Sequence, residues 1–144
     1  MRVSAKAEYA CVAMLELAAN FSEAQPMRVK DIADAHGIPQ RFLVQILLQL
    51  KGAGLVASTR GAAGGYHLIR PPQDVSLGEV MQVIEGTSKH REQTTAASPD
   101  SPAVKALVHA WQEVEAVQRD MLQKITFSDL LERAKGHDDR MYYI

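Results

Sequence analysis

The stretch Ser58-Thr59-Arg60-Gly61-Ala62-Ala63-Gly64-Gly65-Tyr66-His67-Leu68 is glycine-rich, carries one arginine near its head, and follows shortly after an amphipathic segment from Pro39 to Leu55. Leu55 to Thr59 and Tyr66 to Ile69 read as two short strands. The turn between them has Gly61, Gly64 and Gly65, residues free to take positive φ. A helix followed at once by a tight, arginine-bearing hairpin is the layout of a winged helix, with one element for the major groove of DNA and one for the flanking groove.

Upstream of the hairpin the chain has the helices such a layout needs. Ser4 is a capping residue for a helix to about Phe21, with Tyr9, Ala10, Ala13, Met14 and Leu17 at the spacing of one buried face. Gln25-Pro26 breaks it. Arg28 to His36 gives a short second helix with Val29, Ile32 and Ala33 inward, and Gly37 is placed for a left-handed cap. Pro39 opens a third helix, whose apolar stripe is Phe42, Leu43, Ile46, Leu47 and Leu50, and Gly52 and Gly54 close it.

Downstream, Pro71-Pro72 stops the second strand, and Ser76 caps a fourth helix to about Glu85, ended by Gly86. Its inner face is Leu77, Val80, Met81 and Ile84. From Thr87 to Pro102 the composition turns to Thr, Ser, Ala, Gln and charge, which reads as a linker. Pro102 then opens a long helix to about Ile125, with Val104, Leu107, Trp111, Val114, Met121 and Ile125 on a 3-4 spacing broken only by Gln118. That seam wants a partner helix. Thr126 or Ser128 can cap a last short helix through Lys135, before a charged tail ending in Tyr142-Tyr143-Ile144.

The expected fold is therefore mainly α with a small β-hairpin: a winged helix-turn-helix over 1–86, a linker loop over 87–102, and a dimerisation helix with a C-terminal helix and tail over 103–144. The 144 residues suffice for a core without a metal or disulfide staple. The formal net charge of −1 hides an asymmetry: residues 1–72 hold 8 Lys and Arg against 5 Asp and Glu, while 73–144 hold 8 against 12. No acidic residue occurs from 35 to 73, where a carboxylate would meet phosphate. The single cysteine, Cys11, excludes an internal disulfide and suits a reducing cytoplasm. No apolar run approaches the ~20 residues of a membrane span, and no secretory signal is visible. No nucleophile elbow, phosphate loop or metalloprotease motif is present, so an enzyme is not expected.

The outward residues of the third helix are Gln40, Arg41, Val44, Gln45, Gln49 and Lys51. Arginine pairs bidentately with guanine and glutamine with adenine, so Arg41 and Gln45, early on that helix, are the candidates for base contact. Arg60 can enter a narrow, electronegative minor groove. Ser58, Thr59, Gly61 and Gly64 complete the wing side of the contact set. Arg2 and Lys6 join as positioning contacts to phosphate, and Arg28 completes the DNA-binding set.

Together these residues resemble the Rrf-two family of bacterial winged-helix transcription regulators, of the IscR, NsrR and CymR kind. The resemblance rests on Tyr9-Ala10 with Ala13-Met14-Leu15, Ile32-Ala33 with Gly37-Ile38, Leu43 with Gln45, Gly54-Leu55-Val56, Arg60-Gly61 with Gly64-Gly65-Tyr66, Gly78-Glu79-Val80, and Ile125-Thr126 with Leu130. It implies major-groove reading by the third helix, minor-groove reading by Arg60, and dimerisation through the helix that contains Trp111. The expected function is a homodimeric regulator on a palindromic operator; the alternative is a winged-helix protein-interaction module, or a regulator controlled by a partner protein or small molecule.

The resemblance stops at the control device. Cluster-binding members carry three closely spaced cysteines between the fourth helix and the dimerisation helix, and Thr87 to Lys105 holds none. An iron–sulfur cluster needs several thiolates, so none of the IscR kind is expected, and His109, which falls at a family ligand position, has no thiolates beside it. A few members look as though they use a glutamate of the first helix and a histidine ending the second, where Glu8 and His36 fall. With Cys11 one turn from Glu8, and His90 in the following loop, these are the candidates for an atypical metal or cluster site. Each has an ordinary alternative: surface carboxylate, helix-end histidine, small buried hydrophobe. No cofactor is expected.

Overall fold

A computed structural model describes residues 1–23, 25–86 and 100–142. In chain order the elements are α1 (Ala5–Ala19), α2 (Val29–His36), α3 (Gln40–Gly52), β1 (Val56–Thr59), β2 (Gly65–Leu68), a single 3₁₀ turn (Pro72–Asp74), α4 (Leu77–Glu85), α5 (Pro102–Lys124) and α6 (Phe127–Tyr142). This is the mainly α winged helix-turn-helix with one small hairpin that the sequence implies. Most of the linker, with His90, lies outside the described residues, as do Tyr143 and Ile144.

α1 is the axis of the winged-helix core. Ser4 caps it by accepting the Ala7 N–H at 3.1 Å, and the same hydroxyl donates to Glu85 Oε1 at 3.0 Å, tying the start of α1 to the end of α4. Ala7, Ala10, Ala13 and Ala18 on its buried face bring neighbouring backbones close, while Met14 and Leu17 fill the space between. α3, α4 and α6 all pack on it. Gly37 ends α2 at φ 65°, a left-handed geometry that costs glycine little.

β1 and β2 pair antiparallel, Val56 opposite Leu68 and Thr59 opposite Gly65. β1 begins one residue later than expected and ends where expected, and β2 is set one residue earlier. Arg70, leaving β2, ion-pairs with Glu79 of α4 at 2.6 Å and anchors the base of the hairpin.

The C-terminal segment joins the same core. Leu77 N–H donates to Ile125 O at 2.7 Å and Phe127 N–H to Val75 O at 3.0 Å, so the chain between α5 and α6 runs antiparallel to the entry of α4. Phe127 is fully buried, with Leu130 and Leu131 packed beside it. Thr126, rather than Ser128, caps α6: its hydroxyl accepts the Asp129 N–H, and Asp129 Oδ2 accepts the Thr126 N–H, both at 3.0 Å.

Three expectations are corrected. α6 does not stop at Lys135 but continues to Tyr142; Gly136 keeps a negative φ, and a helical glycine costs only about 1 kcal/mol. Gly64 does not have positive φ; Gly61 and Gly65 do. Phe42 is not in the core. Leu43, Ile46, Leu47 and Leu50 fill the buried arc of α3, leaving Phe42 exposed at its flank with the Arg41 guanidinium 5.0 Å from its ring centroid.

Candidate nucleic-acid interface

The buried stripe of α3 fixes what faces outward. With Leu43, Ile46, Leu47 and Leu50 pinned inside, Gln40, Arg41, Val44, Gln45, Leu48, Gln49 and Lys51 are all exposed. Arg41, Val44, Gln45 and Leu48 are spaced at i, i+3, i+4 and i+7, so they form one patch over two helical turns. Leu48 belongs to neither the apolar stripe nor the outward set read from the sequence, and its exposure places it on the outward face.

The wing is built around backbone contacts that exclude side chains. A Cβ on Gly64 would lie 2.2 Å from Thr59 O, and one on Gly65 2.2 Å from Met27 O. Glycine at 64 is thus required by close approach. Gly61, at φ 105° and facing open space, supplies the reversal, and Gly64 N–H donates to its carbonyl at 3.0 Å. Thr59, Arg60 and Gly61 are exposed at the turn.

Two expected DNA contacts hold the wing in place. Lys51 Nζ donates to Ser58 Oγ at 2.8 Å, clipping the end of α3 to β1. Arg28 Nη2 donates to the Ala62 carbonyl at the wing tip. Charge placement along the chain does not reveal this bond, whose partners lie 34 residues apart. Beneath it, Met27 and Tyr66 exchange backbone hydrogen bonds as an isolated bridge. Recognition helix and wing are therefore held to each other directly and through the segment before α2. Arg2 and Lys6 are exposed at the start of α1.

The candidate metal ligands are not assembled. His36 Nε2 lies 2.8 Å from Glu16 Oε1, not on Glu8, and Glu16 stands about 12 Å further along α1 at 1.5 Å per residue. Cys11 is half-buried, and burial, helped by the nearby Glu85 carboxylate, pushes its thiol up to about 11. Among the described residues no group of three or more His, Cys, Asp and Glu could hold a metal ion. His90 lies outside them. His109 pairs with Glu113, one turn on, at 3.0 Å. A surface cleft of about 650 Å³ beside the end of α1 is lined by Glu16, Glu23 and Asp31, the wrong sign for a nucleic acid.

α5 has no buried residue along its 23 positions. Leu107, Trp111, Val114 and Met121 are exposed, Trp111 at 59%, while Val104 and Ile125 are half-buried. The seam is wider than its 3-4 spacing implies, since Val117 is 67% exposed and Gln118 is half-buried. No helix among the described residues is long and apolar enough to cross a membrane.

Comparison with known proteins agrees with this geometry. The model of the Rrf2 family, described as "Iron-dependent Transcriptional regulator", matches residues 3–133. A Mycobacterium tuberculosis relative of the HTH-type transcriptional regulators is 40% identical over 131 residues, covering 90% of this chain and 81% of its own length. Among solved structures, T. potens IscR superposes with a TM-score of 0.75 at 34% identity, over 93% of this chain and 88% of its own. CymR, the global cysteine regulator of Bacillus subtilis, superposes with a TM-score of 0.78 at 30% identity, over 92% and 98%.

Proposed function

The chain belongs to the Rrf2 family and is a DNA-binding transcription regulator, and from that premise we propose that it acts as a homodimer on a palindromic operator in the cytoplasm. The observation that carries the dimer is α5: a helix about 34 Å long whose apolar seam is unburied within the chain. A second copy, seam against seam, gives each side the same self-complementary patch.

In that dimer each protomer lays α3 in a major groove, Arg41 and Gln45 reading base edges, with Arg60 in the adjacent minor groove. The two recognition helices then meet half-sites about one helical turn apart. Lys51–Ser58 and Arg28–Ala62 set the angle between helix and wing, so that both engage one half-site together.

The family description names iron, and the donors present do not fit a cluster. The one cysteine of the chain is half-buried and its thiol is held protonated, whereas iron–sulfur chemistry needs several thiolates. We infer control by another kind of signal, a small molecule or a partner protein. The acidic second half of the chain is the feature that favours a protein partner.

The test is selection of operator sequences from a random duplex pool, with Gln45→Ala run in parallel. The variant is expected to bind with relaxed preference at one base pair per half-site; unchanged preference would remove Gln45 from the reading set.

A further inference from the structure

Leu48 is 54% exposed and Val44 38% exposed, on the outward face of a helix whose core side is already filled. They sit one turn apart, on the same face as Arg41 and Gln45. Their neighbours say what can cover them. Arg41 and Lys51 stand one turn to either side of them on α3, and no acidic side chain occurs from 35 to 73, so the complement of this face is a polyanion. Within a major groove only one apolar group is on offer, the C5-methyl of thymine.

We propose that Leu48, together with Val44, reads thymine methyl groups and is a specificity-determining element of the operator contact. The inference rests on the DNA-reading function above and names a chemical feature of its target. Val44 and Leu48 are separated by about 6 Å along α3, and stacked bases by about 3.4 Å, so the two side chains reach methyls about two base steps apart. Gln45, between them, favours adenine, so each half-site carries an A·T-rich core. Either methyl contact discriminates without a hydrogen bond, which Arg41 and Gln45 supply separately.

The experiment uses the full chain and a duplex selected from a random pool, with thymine replaced by deoxyuridine one position at a time. That change removes the methyl and keeps the pairing edge. At one or two positions in a half-site, Kd is expected to rise three- to fivefold, about the effect of exposing one buried carbon. Leu48→Ala or Val44→Ala should give a similar loss on the thymine duplex and no further loss on the matching uracil duplex. Tight binding with no uracil sensitivity anywhere overturns the proposal and leaves DNA reading intact, as does full additivity of the variant and uracil losses at every position. Failure to select any duplex overturns the DNA-reading premise as well. Both residues are exposed, so circular dichroism of the alanine variants should match the wild type.

Discussion

Met27 and Tyr66 donate backbone hydrogen bonds to each other, Met27 N–H to Tyr66 O at 2.9 Å and Tyr66 N–H to Met27 O at 2.7 Å. This bridge joins the segment before α2 to the second wing strand, 39 residues away, and explains why the next glycine toward the wing tip has no room for a side chain. It makes the wing part of the reading head rather than a hairpin hung from it.

Gly65→Ala should therefore be costly. The new Cβ would meet Met27 O at 2.2 Å, separating the bridged strands. We expect a loss of about 2 kcal/mol or more by urea denaturation, in the range of steric substitutions in packed regions. Gly61→Ala, strained at φ 105° but facing open space, should cost less. Equal losses would show that the bridge does not limit position 65.

Arg28 and Arg60 should separate in their salt dependence. Arg28 holds Ala62 of the wing tip, so Arg28→Ala is expected to weaken binding through a misplaced wing, with the slope of log Kd against log salt nearly unchanged. Arg60→Ala should reduce that slope by about one. If the two variants lower the slope alike, Arg28 is itself a phosphate contact.

Dimerisation is tested by Trp111→Glu. No residue of α5 is buried within the chain, so the monomer fold should survive, with unchanged far-ultraviolet circular dichroism. Light scattering should show the dimer weakened about thirtyfold or more, as for a central aromatic anchor. An unaltered dimer would move the interface elsewhere.

Cys11 should be a poor nucleophile. Burial raises its thiol from the ordinary 9.0 to about 11, so alkylation by iodoacetamide should climb about tenfold per pH unit across the neutral range and level off only near 11. The folded chain keeps this proton where the unfolded chain gives it up. Its contribution to stability is therefore full below pH 9 and is lost as pH rises through 11. Rapid alkylation at pH 7 would contradict the burial argument.

The helix-turn-helix and wing were legible because local chemistry marks them: Ser4 and Ser76 as caps, Gly37 and Gly86 as stops, Pro71-Pro72 after the hairpin. What was not legible depends on distance or on arc. The bond from Arg28 to Ala62 has no local signal, because its partners are 34 residues apart. Gly64 looked like a positive-φ residue, but glycine is needed there to clear Thr59 O. Phe42 reads as core and Leu48 is assigned to neither face, because hydrophobicity does not say which arc of α3 is already filled. Gly136 carries no signal separating a tolerated helical glycine from a terminator, and α6 runs through it.

In the proposed dimer, two recognition helices and two wings engage one operator. Fluorescence anisotropy of a selected duplex, titrated with the full chain from 50 to 200 mM salt, tests this engagement most directly. With about six phosphates neutralised, affinity should fall about a thousandfold over that range. Binding that is absent, or that does not change with salt, would show that the helix and wing do not engage the phosphate backbone.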